Sequence, residues 1–236
     1  YSIEDSALSC GSLWSVSIDN HHKDVVGVYL GDLGRDLPEK EQRHWKIYNI
    51  ASDEKISNVK FKRDFCGLFT SPEISDLKFK ALYEKFQSEW YKKYNWHLFI
   101  PLREDDEYNF KNLHLPIHNT QDEFDSLILS LVKTLIDSIN EQEIQKLIQS
   151  TGEPKRGISK LEQWFKENGV ERYEPHIKFL RSLQELRSRG SGHRKGKGYS
   201  KISAEFGLGN DNYFDVFDSI LKHAIEFLEF MNSRFL

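Results

Sequence analysis

The chain has 236 residues, of which 38% are hydrophobic and 30% are charged. These proportions exclude an intrinsically disordered chain and a protein embedded in a membrane. The formal net charge is −4, so any contact with nucleic acid must come from a local basic patch. Two cysteines, Cys10 and Cys66, are too few for a disulfide framework. We therefore expect a cytoplasmic protein with free thiols.

The first 115 residues are predicted to form a mixed α/β region. Polar and apolar residues alternate from Ser12 to Asp19, as in a strand, and the β-rich run Val25–Leu30 predicts a second strand. The polar segment between them predicts a hairpin turn that exposes His21 and His22. The apolar spacing over 56–65 predicts another strand. We interpret this region as an accessory part that senses a trigger or docks a regulatory partner.

The spacing changes to a helical period from about Ser75. One apolar face predicts a helix from Ser75 to about Tyr94, and the apolar run over 96–102 predicts a short strand. The polar, turn-rich segment that follows joins two domains, which we predict over 1–115 and 116–236.

The second domain is predicted to be helical throughout. Thr120 and Glu123 have the spacing of a capping box. Apolar residues then recur at helical spacing: Phe124, Leu127, Ile128, Leu131, Val132, Leu135, Ile136 and Ile139. Further helices are predicted over 158–167, 173–187 and 212–236. The predicted fold class is therefore α+β, a mixed α/β N-terminal region followed by a bundle of four or five helices.

Residues 187–201 form the most unusual segment of the chain. The segment contains six Lys or Arg and four Gly, and it has no acidic residue. A basic loop at the end of a helix suits phosphate groups, and glycine lets the backbone approach a ligand closely. A P-loop is excluded, because Gly198 follows Lys197 where Ser or Thr is required and because a helix precedes the segment.

Arg187 and His193 are the residues of this loop that could carry chemistry. Histidine gives and takes a proton near neutral pH, and arginine binds a phosphoryl oxygen with several donors. Together they could promote the attack of a ribose 2′-hydroxyl on the adjacent phosphate and stabilise the charge that develops. That route requires no metal and no cofactor.

Arg187 and His193, with five residues between them at the end of a bundle helix, resemble the Arg-x(4–6)-His motif of HEPN-domain proteins. The resemblance covers the chain from about Thr120 onward. It implies a metal-independent endoribonuclease of a prokaryotic defence or toxin system, with Arg187 and His193 as the catalytic pair and Ser188 or Tyr199 assisting. It also implies a homodimer with RNA as its substrate. Ser188 stands where members of the family often carry Asn, Asp or His.

The other cations of the loop are predicted to contact RNA phosphates. They are Arg189, Arg194, Lys195, Lys197 and Lys201. Two alternatives stay open: the loop 187–201 binds nucleic acid or a nucleotide without cleavage, or the bundle is a protein-interaction module.

No metal site is predicted, and none of the other histidines points to one. His114 and His118 have the spacing of helical metal ligands, but Pro116 between them disfavours a helix. The chain begins at Tyr1 and its one methionine is Met231. We therefore expect it to be a fragment or a processed product, with room for an upstream domain.

Overall fold

A computed structural model describes residues 1–51, 53, 55–66, 74–149, 157–190, 195–209 and 212–236. The fold is α+β, and the chain divides into two compact units, Tyr1–Ala81 and Leu82–Leu236. The division lies inside a helix, because the segment that follows Ala81 packs with the helical bundle. The domain boundary predicted after residue 115 stays a prediction. Among the described residues, no helix is both long and apolar enough to cross a bilayer.

The first unit is built on a small antiparallel sheet. Strands β1 (Ser2–Glu4), β2 (Ala7–Cys10) and β3 (Trp14–Ser17) are joined in chain order. Trp14 and Val16 of β3 are buried, because alternate side chains of a strand point to the same face. They form a core with Ile18 and Leu37, against which Leu8, Cys10, Val28, Leu33 and Trp45 also pack.

Three short helices complete this unit. They are α1 (Leu30–Asp36), α2 (Glu39–Ile47) and α3 (Asn58–Cys66). The long helix α4 (Ser75–Tyr94) begins here and continues into the second unit, as predicted from its apolar face.

Two predictions for the first unit are wrong. The run Val25–Leu30 makes only a single bridge, between Asp19 and Gly27, and Leu30 begins α1. The partner of β3 is β2, which was not predicted as a strand and has only four residues.

The strand predicted over 56–65 is the helix α3. The hydroxyl of Ser57 accepts the backbone N–H of Lys60 (3.0 Å) and caps its first turn. Phe61 and Phe65 stack one turn apart, with ring centroids separated by 5.5 Å.

The second unit consists of helices apart from one isolated bridge. Within the described residues they are α5 (Tyr108–Lys111), α6 (Gln121–Val132), α7 (Glu141–Leu147), α8 (Ile158–Glu167), α9 (Glu174–Gly190), α10 (Lys197–Glu205) and α11 (Tyr213–Phe235). Between α6 and α7 the chain continues as a π-helix over Lys133–Asp137, here called the π-turn.

The apolar stripe predicted for α6 is confirmed as core. All eight of its members, from Phe124 to Ile139, are buried. The capping box is not formed: the carboxylate of Glu123 accepts the backbone N–H groups of Ile117 and His118, each at 2.8 Å. These two amides precede the helix, so Glu123 fixes the segment before α6 against the first turn of the helix.

The apolar run over 96–102 pairs with the bundle without forming a strand. Phe99 and Ile139 make one antiparallel bridge, and Leu98 and Phe99 are completely buried. The carbonyl of Leu98 accepts the N–H of Asn140 (2.8 Å). This short pairing explains why the chain after Ala81 belongs to the helical unit.

Candidate functional site

Arg187 lies in the last turn of α9, three residues before the helix ends at Gly190. This helix was predicted to end at Arg187, and residues 187–201 were predicted to form a loop. Both predictions are wrong, because α9 continues to Gly190 and α10 begins at Lys197. Leu183 and Leu186 are buried and hold the last turns of α9 against the bundle. Arg187 and the half-buried Ser188 therefore project from a packed helix and not from a loop.

The guanidinium of Arg187 faces the carboxylate of Asp137, the last residue of the π-turn. Arg187 Nη2 and Asp137 Oδ2 are 3.8 Å apart, and the two side chains are 36% and 43% exposed. The arginine is thus accessible to a ligand from solvent while a carboxylate lies beside it. A cation at a helix C-terminus is also favoured by the helix dipole.

Arg189, on the exposed side of the same turn, contacts both its own helix and α10. Its Nε donates to Glu185 (2.7 Å), and its guanidinium lies against the backbone of Gly198. A Cβ at residue 198 would be 2.0 Å from Arg189 Nη1. The absence of a side chain on Gly198 therefore lets the guanidinium of Arg189 lie against the start of α10.

His193 and Arg194 lie outside the described residues, in the segment 191–194. Both neighbours of this segment lie near the carboxylate of Asp125 on α6. Lys195 Nζ forms an ion pair with Asp125 Oδ2 (2.5 Å). A Cβ on Gly190 would be 3.4 Å from Asp125 Oδ1. Asp125 thus binds one of the two residues that flank the segment and lies beside the other.

Tyr199 is part of the same polar cluster. Its hydroxyl accepts from Gln121 Nε2 (2.6 Å), and Gln121 Oε1 accepts from the hydroxyl of Tyr213 (3.3 Å). Lys195 Nζ lies 4.9 Å from the centre of the Tyr199 ring. Burial raises the pKa of Tyr199, so its hydroxyl stays protonated at neutral pH. The cluster joins the starts of α6, α10 and α11.

Lys197 and Lys201 lie one turn apart at the beginning of α10 and are exposed. In the part of the chain that the structure describes, neither forms an ion pair. Sequence reasoning missed this helix because its glycines suggested a loop. The spacing of Tyr199, Ile202 and Phe206 was the available signal, and Ile202 is buried.

Arg187, Ser188 and Arg189 lie on α9, and Lys195, Lys197, Tyr199 and Lys201 lie on or beside α10. The structure brings Arg189 against Gly198 and Lys195 against the ring of Tyr199. No group of three His, Cys, Asp or Glu suited to a metal ion occurs among the described residues. His114 is bound through Nδ1 to the carbonyl of Leu115 (2.8 Å).

A second polar cluster, in the first unit, corrects the prediction for His21. Its side chain is only 2% exposed, and its Nε2 lies 2.8 Å from Asp5 Oδ1. Arg63 Nη2 binds the other oxygen of Asp5 (2.7 Å), and Arg63 Nη1 donates to the hydroxyl of Ser6 (3.0 Å). Desolvation raises the pKa of Asp5, but the hydrogen bonds from His21 and Arg63 outweigh it and lower the pKa to about 2.

Ser6, His21 and Asp5 have the residue types of a catalytic triad but not its geometry. The hydroxyl of Ser6 and the carboxylate of Asp5 both face Nε2 of His21, at 3.5 and 2.8 Å. In a triad the acid binds the opposite ring nitrogen and leaves Nε2 to the serine. This cluster therefore holds the β1–β2 turn, where Ser6 adopts a φ of 62°.

No protein-family model, curated protein or solved structure matches the chain.

Proposed function

We propose that the protein is a metal-independent endoribonuclease whose second unit is a HEPN-like helical bundle. It cleaves RNA with Arg187 and His193 and leaves a 2′,3′-cyclic phosphate. The observation that carries the proposal is the position of Arg187: its half-exposed guanidinium projects from the last turn of a packed helix, six residues before His193. The biological setting we propose is a cytoplasmic anti-phage or toxin-type defence system of a prokaryote, with the enzyme acting as a homodimer.

The reaction needs only these two side chains. His193 removes the proton from a ribose 2′-hydroxyl, the 2′-oxygen bonds to the adjacent phosphorus, and the bond from phosphorus to the 5′-oxygen breaks. The leaving 5′-oxygen takes up a proton, which the protonated histidine can return. Arg187 stabilises the negative charge on the phosphoryl oxygens through charge-assisted hydrogen bonds.

The contacts of Asp125 support this assignment. A catalytic group must be held within a fraction of an ångström of its productive position. Because Asp125 forms an ion pair with Lys195 and lies near Gly190, the two residues that flank the segment containing His193 both lie beside α6. Lys197 and Lys201, exposed on the neighbouring helix, would then contact the RNA backbone on either side of the scissile phosphate.

Incubation with single-stranded RNA in EDTA tests the proposal. We expect cleavage by the wild-type protein, a cyclic phosphate at the new 3′ end, and loss of cleavage in Arg187→Ala and in His193→Ala. Arg181→Ala is the matched control, because Arg181 lies on the same helix and pairs with Glu162. Absence of cleavage by the wild type under any condition, or full activity in His193→Ala, would contradict the proposal.

The second candidate is a module that binds nucleic acid without cleaving it, and the exposed pair Lys197 and Lys201 favours it. Each phosphate contact contributes about one to the slope of log affinity against log salt concentration. The binding module predicts that a Lys197→Ala, Lys201→Ala double variant loses affinity for RNA and that its slope falls by about two, with no product from any variant. Cleavage by the wild type would exclude this candidate.

A further inference from the structure

The π-turn changes the direction in which Asp137 points. A π-helix contains one more residue in its turn than an α-helix does, and such turns are frequent at functional sites. An added residue rotates the following side chains by about 100° around the helix axis. The π-turn begins directly after Val132 and ends at Asp137, the residue that faces Arg187. The irregular turn thus coincides with the contact to the proposed catalytic arginine.

Three hydroxyl groups stabilise this irregular backbone. The carbonyl of Thr134 accepts hydrogen bonds from the hydroxyls of Tyr83 (3.2 Å) and Ser138 (2.5 Å). The hydroxyl of Thr134 in turn donates to the carbonyl of Ser130 (2.9 Å). Thr134 and Ser138 are buried, and a buried carbonyl without a partner would be costly. The surroundings of the π-turn are therefore built to hold it, and with it Asp137.

The contact between Asp137 and Arg187 contributes little to the stability of the fold. Both side chains are more than a third exposed and their charged atoms are 3.8 Å apart. Pairs of this kind contribute about 0–1 kcal/mol. A stability role therefore does not account for a backbone irregularity that ends at this carboxylate.

Orientation of the guanidinium of Arg187 does account for the π-turn that ends at Asp137. Arginine has a long, flexible side chain with about 2 kcal/mol of rotamer entropy, and it carries five N–H donors. A carboxylate 3.8 Å from one Nη restricts the side chain by electrostatic attraction and forms no hydrogen bond with those donors. A guanidinium that is already oriented loses less entropy when it binds the phosphoryl oxygens of the transition state.

We infer that Asp137 is a positioning residue, which the π-turn places so that it orients the guanidinium of Arg187 toward the scissile phosphate. This inference rests on the proposed ribonuclease function. It deepens that function by adding a residue that sequence reasoning did not select.

Steady-state cleavage of a single-stranded RNA by Asp137→Asn tests the inference. We expect kcat to fall about threefold to tenfold, because an arginine that is no longer oriented loses more rotamer entropy when it binds the transition state, with KM unchanged or lower because a negative charge near the RNA is removed. Asp137→Glu restores part of kcat. The control is Glu162→Gln, which removes the carboxylate partner of Arg181, an arginine on the same helix as Arg187. This variant should leave both constants unchanged. An unchanged or increased kcat in Asp137→Asn would overturn the inference and leave the ribonuclease proposal intact.

A measurement without RNA separates the two proposals. In the NMR spectrum of the wild-type protein, Arg187 should give separate signals for its two Nη groups, because Asp137 slows rotation of the guanidinium. In Asp137→Asn these signals should merge, whereas those of Arg181 should not change. If the wild type does not cleave RNA, the ribonuclease proposal fails, and merged Arg187 signals already in the wild type would separately overturn the role of Asp137.

Discussion

Replacing Asp5 with Asn removes the charge on which the polar cluster of the first unit depends. Asp5 binds Nε2 of His21 at 2.8 Å and Nη2 of Arg63 at 2.7 Å. The Asn amide has nearly the same shape and keeps an acceptor oxygen, so the change removes charge without leaving a cavity. The carboxyl of Asp5 has an ordinary pKa of 3.8, and in the folded protein this pKa is about 2.

The size of the effect follows from this difference in pKa. A carboxyl whose pKa falls this far on folding stabilises the folded state at neutral pH by about 2.5 kcal/mol. The side chain of Asp5 is 24% exposed, and screening by solvent reduces the contribution to about 1–2 kcal/mol. Since the folded-state pKa is the lower one, this stabilisation is complete above about pH 5 and is lost as the pH falls toward about 2.

Hydrogen exchange of the amides in β1 to β3 measures the local free energy of unfolding. At pH 7 we expect Asp5→Asn to lower it by about 1–2 kcal/mol relative to the wild type, and the difference should shrink toward zero near pH 2. Asp24→Asn is the control, because Asp24 is exposed and forms no ion pair with any other described residue. A difference that stays constant from pH 7 to pH 3, or none at pH 7, would refute the reasoning.

Three further predictions concern the stability of the second unit. Gly190→Ala should lower the melting temperature, by overpacking of about 1 kcal/mol or more, because its Cβ would lie 3.3 Å from the ring of Tyr199. Gly198→Ala should be neutral or stabilising, since its Cβ would displace only the flexible end of Arg189 while the helix gains a better helix former. A larger fall in melting temperature for Gly198→Ala than for Gly190→Ala would contradict this expectation. Tyr83→Phe should cost about 1 kcal/mol in urea unfolding, because it removes a buried hydrogen bond to the π-turn. No change in Tyr83→Phe would show that the hydroxyl does not support the π-turn.

Helices with a long apolar stripe could be predicted from the sequence because their signal is local. The stripe of α6 recurs at helical spacing over several turns, and every member is buried. The end of α8 at Asn168 and Gly169 follows from glycine's freedom to adopt a positive φ, here 61°. Short elements were predicted poorly. The nine-residue helices α3 and α10 have too few turns to show a clear period, and packing decides their conformation.

The spacing of Arg187 and His193 is a property of the sequence alone, and so is the concentration of basic residues around them. Their surroundings depend on tertiary structure. Asp125 and Lys195 are 70 residues apart in the chain and meet only because α6 packs against the end of α9. Asp137, which faces Arg187, ends a π-turn whose carbonyl at Thr134 accepts a hydrogen bond from Tyr83, 51 residues away. A local pattern thus determined the candidate residues, whereas long-range packing decided which carboxylates lie beside them.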